Sequence, residues 1–147
     1  VIIAAGAFFF RGGHPTAHYL TFYKGHTDEA IYQLQVKPGE LLILKYIHSS
    51  DRTPVTALFE IQEDGLLLLE EKYSWYGAGL ESGANLEFSF EADQVRVSGY
   101  DRFFEKLPLR VARTVPQEVV LKDQGISISL NHLAPGGTLL VIVIDEQ

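Results

Sequence analysis

The stretch "VTALFEI", Val55 to Ile61, decides the fold class. Val55, Ala57, Phe59 and Ile61 project to one side, while Thr56 and Glu60, followed by Gln62, project to the other. Successive side chains of a β-strand point to opposite faces, so this period of two describes a strand with one buried and one wet face. That is the habit of antiparallel sheets. The same alternation runs through "NLEFSFE" (Asn85 to Glu91), with Leu86, Phe88 and Phe90 apolar, and through "ISISL" (Ile126 to Leu130). Two further runs, "ELLILKYI" (Glu40 to Ile47) and "TLLVIVI" (Thr138 to Ile144), are apolar on both sides. They predict central strands covered on both faces.

The connections agree with this reading. "KPGE" (Lys37 to Glu40) places proline then glycine as a type II turn requires. "QEDG" ending at Gly65, "EADQ" at Glu91 to Gln94 and "KDQG" ending at Gly125 are short polar hairpin links, and "APGG" (Ala134 to Gly137) opens the last strand. Turn signals recur about every ten residues, the spacing of a sandwich or barrel. No long 3.6-residue period occurs. "YDRFFEKL", Tyr100 to Leu107, is the one helical candidate, two turns ending before Pro108. The expected architecture is an all-β antiparallel β-sandwich or flattened barrel of about ten short strands, with at most one short helix.

The 147-residue chain shows no repeat or linker, so residues 14–147 are expected to form a single β domain. Residues 1–13 stand apart: "VIIAAGAFFF" is too short to span a bilayer, which takes roughly twenty residues. Followed by Arg11, and with Val rather than Met at position 1, it reads as the remnant of a signal peptide core or an N-terminal anchor. An extracytoplasmic location follows, at the outer face of the membrane or in the periplasm, touching the membrane only through that segment. A net charge of −7 with no basic cluster argues against nucleic acid as partner. With no cysteine, disulfides, thiolate metal sites and cysteine nucleophiles are excluded. The histidines, among them His14 and His18 around Pro15, form no ligand pattern on a helix. No metal and no cofactor are expected.

Two loops carry the chemistry. In "YIHSSDRTPV" (Tyr46 to Val55), His48 ends a strand at the rim, and Ser49, Ser50 and Asp51 are ordinary turn formers. Thr53-Pro54 forces an extended exit. Arg52 supplies a planar donor fork suited to a carboxylate or phosphate, and His48 a titratable neighbour. "YSWYGAGLES" (Tyr73 to Ser82) offers Trp75 and Tyr76 as an aromatic wall, Gly77 and Gly79 as permissive backbone and Glu81 as a polar contact. Its "GAG" lacks the fingerprint of a dinucleotide site. A third group, Arg110 and Arg113 in "LPLRVARTV", places Arg113 on the apolar face beside Val111, where it would need a carboxylate partner.

Together, "LKYIHSSDRTPVTALFEI" and "LLLLEEKYSWYGAGLE" resemble a small uncharacterised bacterial and archaeal family classed as a domain of unknown function. The match is carried by Tyr46, His48, Ser49, Thr53, Pro54 and Val55, then by Glu70, Gly77, Ala78, Gly79 and Leu80. It extends over roughly Val36 to Ile144, with Asp51 of "SSDR" an individual departure. Members of that family look exported and are often encoded beside permeases of the TAXI class of TRAP transporters. The resemblance implies a non-catalytic accessory protein that contacts the permease or its solute-binding protein. The alternative is a small organic-anion module in which His48 and Arg52 face Trp75 and Tyr76. A hydrolase using His48 and Ser49 is the weakest reading, because sequence neighbours rarely make a triad.

Overall fold

A computed structural model of the chain describes residues 16–50, 52–74 and 85–147. The N-terminal segment 1–13 lies outside them. The alternation of "VTALFEI" is realised directly: along β4 (Pro54–Ile61), Val55, Ala57, Phe59 and Ile61 are all buried, and the residues between them are not. Around it the remaining strands are β1 (His18–Lys24), β2 (Ala30–Val36), β3 (Leu41–Ile47), β5 (Leu66–Tyr73), β6 (Glu87–Glu91), β7 (Gln94–Phe104), β8 (Leu107–Arg110), β9 (Glu118–Leu121), β10 (Ile126–Ser129) and β11 (Leu139–Glu146). One short helix, α1 (Leu130–Leu133), links β10 to β11.

All strand pairs are antiparallel, in two sheets that do not close into a barrel. The larger has the order β10-β9-β3-β4-β5-β7-β6, the smaller β2-β1-β11-β8. Inner residues of the small sheet, Leu20, Phe22, Leu107, Leu140, Ile142 and Ile144, meet Leu42, Leu44, Phe59, Ile61, Leu68, Val119 and Leu121 of the large one. At about 25 cal/mol per Å² of apolar surface removed from water, this shared core is the main favourable term in the fold. Phe22 meets Tyr32 edge-on at 5.9 Å, and Phe59 meets Phe104 at 6.0 Å.

The connections follow their residue types. Gly39 has φ 91° in the Lys37–Glu40 turn, closed by the Glu40 N–H donating to the Lys37 carbonyl at 3.1 Å. Gly125 (φ 66°) and Gly137 (φ 91°) turn the chain before β10 and β11. These left-handed positions are the ones glycine takes without a Cβ penalty.

Three expectations need correction. Tyr100 to Leu107 is not helical: Leu66, Leu67 and Leu68 of β5 pair with Phe104, Phe103 and Arg102, and β8 already begins at Leu107. Ladder pairing outweighs the local helical pattern there. Strand β3 is buried on one face only, since Leu42 and Leu44 are covered while Lys45 is exposed. In β6, Phe88 is 39% and Phe90 69% exposed. That strand is the far edge of the large sheet, and the core draws its large-sheet residues from β10, β9, β3, β4 and β5.

Candidate functional site

Among the described residues, the loop joining β3 to β4 makes hydrogen bonds within itself. The His48 N–H donates to the Thr53 carbonyl at 2.9 Å, and the Arg52 N–H donates back to the His48 carbonyl at 3.0 Å. Ser50 Oγ and His48 Nδ1 share a hydrogen bond of 2.8 Å. The loop therefore does use its serine as a turn former. It also holds Arg52 at φ 55°, a left-handed conformation that costs a residue bearing a Cβ about 1 kcal/mol. Turns favour glycine or asparagine at such a position. Asp51 lies outside the described residues.

The crossover from β8 to β9, residues 111–117, faces this loop and is built differently. Val111 is buried, its N–H donating to the Thr138 carbonyl at 2.9 Å and its carbonyl accepting from Gly137 N–H at 2.7 Å. Gln117 folds back across the turn: Oε1 accepts from Ala112 N–H at 2.8 Å and Nε2 donates to the Arg110 carbonyl at 3.2 Å. Asn131 of α1 completes the brace, with Nδ2 donating to the carbonyls of Ala112 (2.9 Å) and Val115 (3.2 Å) and Oδ1 accepting from Gln117 N–H at 2.9 Å. A Cβ built on Gly136 would lie 2.7 Å from Arg113 Cα, so only glycine lets the two backbones meet there.

Between these loops is a cleft of about 750 Å³, lined by His48, Ser49 and Arg52 on one side and by Arg110 through Gln117 and Gly137 on the other. Three arginines line it. Arg110 donates to the Gly137 carbonyl at 2.8 Å, and the Arg113 guanidinium lies over the same Gly137. Among the described residues no carboxylate lines the cleft, and none pairs with Arg52, Arg110 or Arg113. The expected carboxylate partner for Arg113 is thus corrected. Strand β8 ends at Arg110, so the alternation stops there and Arg113 turns outward while Val111 remains buried.

The other predicted residues separate. Tyr46 does not line this cleft. It projects from β3 into a second hollow of about 210 Å³ between the sheets, with Leu44, Ala57, Phe59, Leu68, Glu71, Arg102, Phe104, Leu107, Leu109 and Gln117. Thr53 contributes its carbonyl to the loop closure. Trp75, Tyr76, Gly77, Gly79 and Glu81 lie outside the described residues. The chain does enter that segment beside the first loop, since Tyr73 pairs with Val55 and Ser74 Oγ donates to the Pro54 carbonyl at 3.4 Å. Gln117 and Asn131 had no sequence signal, because their roles arise from partners far along the chain.

In the inter-sheet hollow, Glu71 Oε2 accepts hydrogen bonds from Tyr73 at 2.6 Å and Tyr100 at 2.8 Å. Burial, then the Glu71 charge, pushes the Tyr46 phenol up to about 12. Burial and the hydrogen bond to Glu71 drive Tyr73 well above the usual phenol range. Each tyrosine is held neutral because a phenolate would be both desolvated and beside a carboxylate. Among the described residues no set of three or more histidines or acids converges as a metal site. None of the described helices is long and apolar enough to cross a membrane.

Comparison with curated proteins and with solved structures returned no match. A family profile does match, over residues 42–128, from β3 through most of β10. That span contains every residue lining the basic cleft except Gly137. The chain therefore belongs to the family described as a domain of unknown function, DUF1850.

Proposed function

We propose that this domain is a non-catalytic binding module for a small organic anion, held in the cleft between the β3–β4 loop and the β8–β9 crossover. One observation carries the reading: Arg52, Arg110 and Arg113 line one cleft with no carboxylate among its described lining residues, in a chain of net charge −7. Acids outnumber bases in this sequence, so arginines placed at random would find acidic partners more easily than they would find each other. Arginines gathered with no counter-charge among the described residues repel, and an anion relieves that repulsion through bidentate, charge-assisted hydrogen bonds. The braced crossover fixes Arg110 and Arg113 beforehand, which lowers the ordering cost of binding.

Calorimetric titration with acetate, succinate and phosphate at low ionic strength tests this. Binding should weaken as salt rises. Arg113→Gln should weaken it at least tenfold, as expected for loss of one charge-assisted contact of about 1.5–3 kcal/mol. Flat titrations across the panel, with the fold intact, would sink the reading.

The family resemblance supports a place for this activity. As an exported or anchored protein at the extracytoplasmic face, the module would contact a TAXI-type TRAP permease or its solute-binding protein. Motif residues His48 and Ser49 line the same cleft as Arg52, which supports tying that resemblance to the anion site. Crosslinking in intact cells should recover a permease subunit with the wild-type protein. Recovery of none from the membrane fraction would remove the transporter partner and leave the anion site standing.

A further inference from the structure

Gln117 lines both hollows: the basic cleft and the chamber between the sheets. The two spaces thus share a wall, and their chemistry is opposite. The cleft is lined by three arginines. The chamber is walled by Leu44, Phe59, Leu68, Leu107 and Leu109, and its described acid, Glu71, is engaged by two tyrosine hydroxyls. Arg102 also borders the chamber, from an exposed position.

Resting on the anion-binding reading above, we propose that the ligand is an organic acid bearing an apolar group of about the bulk of a phenyl ring, its carboxylate in the arginine cleft and its apolar group in the chamber beside Gln117. Three observations lead there. The hollow of about 210 Å³ between the sheets opens to solvent and is lined largely by apolar side chains, so an apolar group that enters it exchanges water for apolar surface. A cavity of roughly 150 Å³ with a similar lining accommodates benzene, so this one has room for a ring or a chain of comparable size. The charges favour one orientation: the cleft gathers three arginines, whereas the chamber sets Glu71 against Arg102, so a carboxylate is drawn to the cleft. Gln117 is held at the junction by hydrogen bonds at both ends of its amide, so it forms a fixed wall common to both hollows.

The test compares propionate with 3-phenylpropionate, two acids that differ by the ring alone. Burial of apolar groups gains about fourfold in affinity per methylene. The ring should therefore tighten binding by tenfold or more in the wild-type protein. Ala57→Leu, which places bulk in the chamber, should bring phenylpropionate down to the affinity of propionate and leave propionate unchanged. If that variant does not fold, Leu109→Ala enlarges the chamber instead and should shift preference toward 3-(1-naphthyl)propionate. Equal affinity of the wild-type protein for the two acids overturns the inference while the anion cleft survives. Binding of neither, with an intact fold, overturns the cleft and the inference together.

Discussion

The β3–β4 loop closes on itself through His48, Arg52 and Thr53, all within six residues of chain. The β8–β9 crossover on the other side of the cleft is instead held by groups from α1 and from the turn before β11, up to 27 positions away. Both walls present arginine, yet one is a local motif and the other a tertiary assembly. The local wall stores strain at Arg52, whereas the assembled wall satisfies its backbone through Gln117 and Asn131. A site residue can thus be held by its own turn at some cost, or by distant partners whose loss dismantles the wall.

The largest effect should follow from removing the distant partner. Asn131→Ala deletes three hydrogen bonds to the crossover and should lower stability by about 2–3 kcal/mol in chemical denaturation, with weakened anion binding. A cost below about 0.5 kcal/mol, the range of ordinary surface changes, would erase the difference between the two walls.

On the local wall the sign should reverse. Arg52→Gly relieves the left-handed strain and should leave stability unchanged or raise it by up to about 1 kcal/mol, while anion affinity falls. A protein that loses stability without its Arg52 side chain would show that this loop, too, depends on contacts beyond its backbone.

The smallest effect at neutral pH belongs to Tyr46, which faces the chamber behind both walls. Its phenol titrates near 12 when folded against about 10 when unfolded. The unfolded chain therefore releases this proton first, and stability present below pH 10 is lost as pH rises toward 12. Tyr46→Phe should flatten that alkaline fall in melting temperature and leave the neutral value nearly untouched. An unchanged alkaline slope would assign the fall to Tyr23 and Tyr73, whose phenols are also raised, the first by its hydrogen bond to Asp145 and the second by burial.

Much of the architecture was legible because alternation and turn chemistry are local. Val55 to Ile61 buried every second residue as read, and glycine marked the turns at Gly39, Gly125 and Gly137. The misreadings have non-local causes. Phe103 and Phe104 resemble the apolar side of a helix until β5 pairs with them, and Phe88 and Phe90 alternate correctly on a strand that the small sheet does not cover. His48, Ser49 and Arg52 line one cleft because a single short turn carries them. Arg110 and Arg113 have surroundings that the alternation does not predict, since sequence cannot show that a strand stops at Arg110.

Strand β11 has a consequence for the order in which the protein can be made. It lies between β1 and β8 and supplies hydrogen bonds to both, so the small sheet has no continuous form without it. During synthesis the ribosome delivers residues 139–146 after the other described strands. Until they emerge, Leu20 and Phe22 on one hairpin and Leu107 on β8 have no strand to join them, and the inner face of the large sheet stays wet. Closure of the sandwich is then a single late event of long sequence separation, the kind that is slow and leaves apolar surface open to aggregation while it waits. A nascent chain stalled before Leu139 would carry most of its strands and little of its protection.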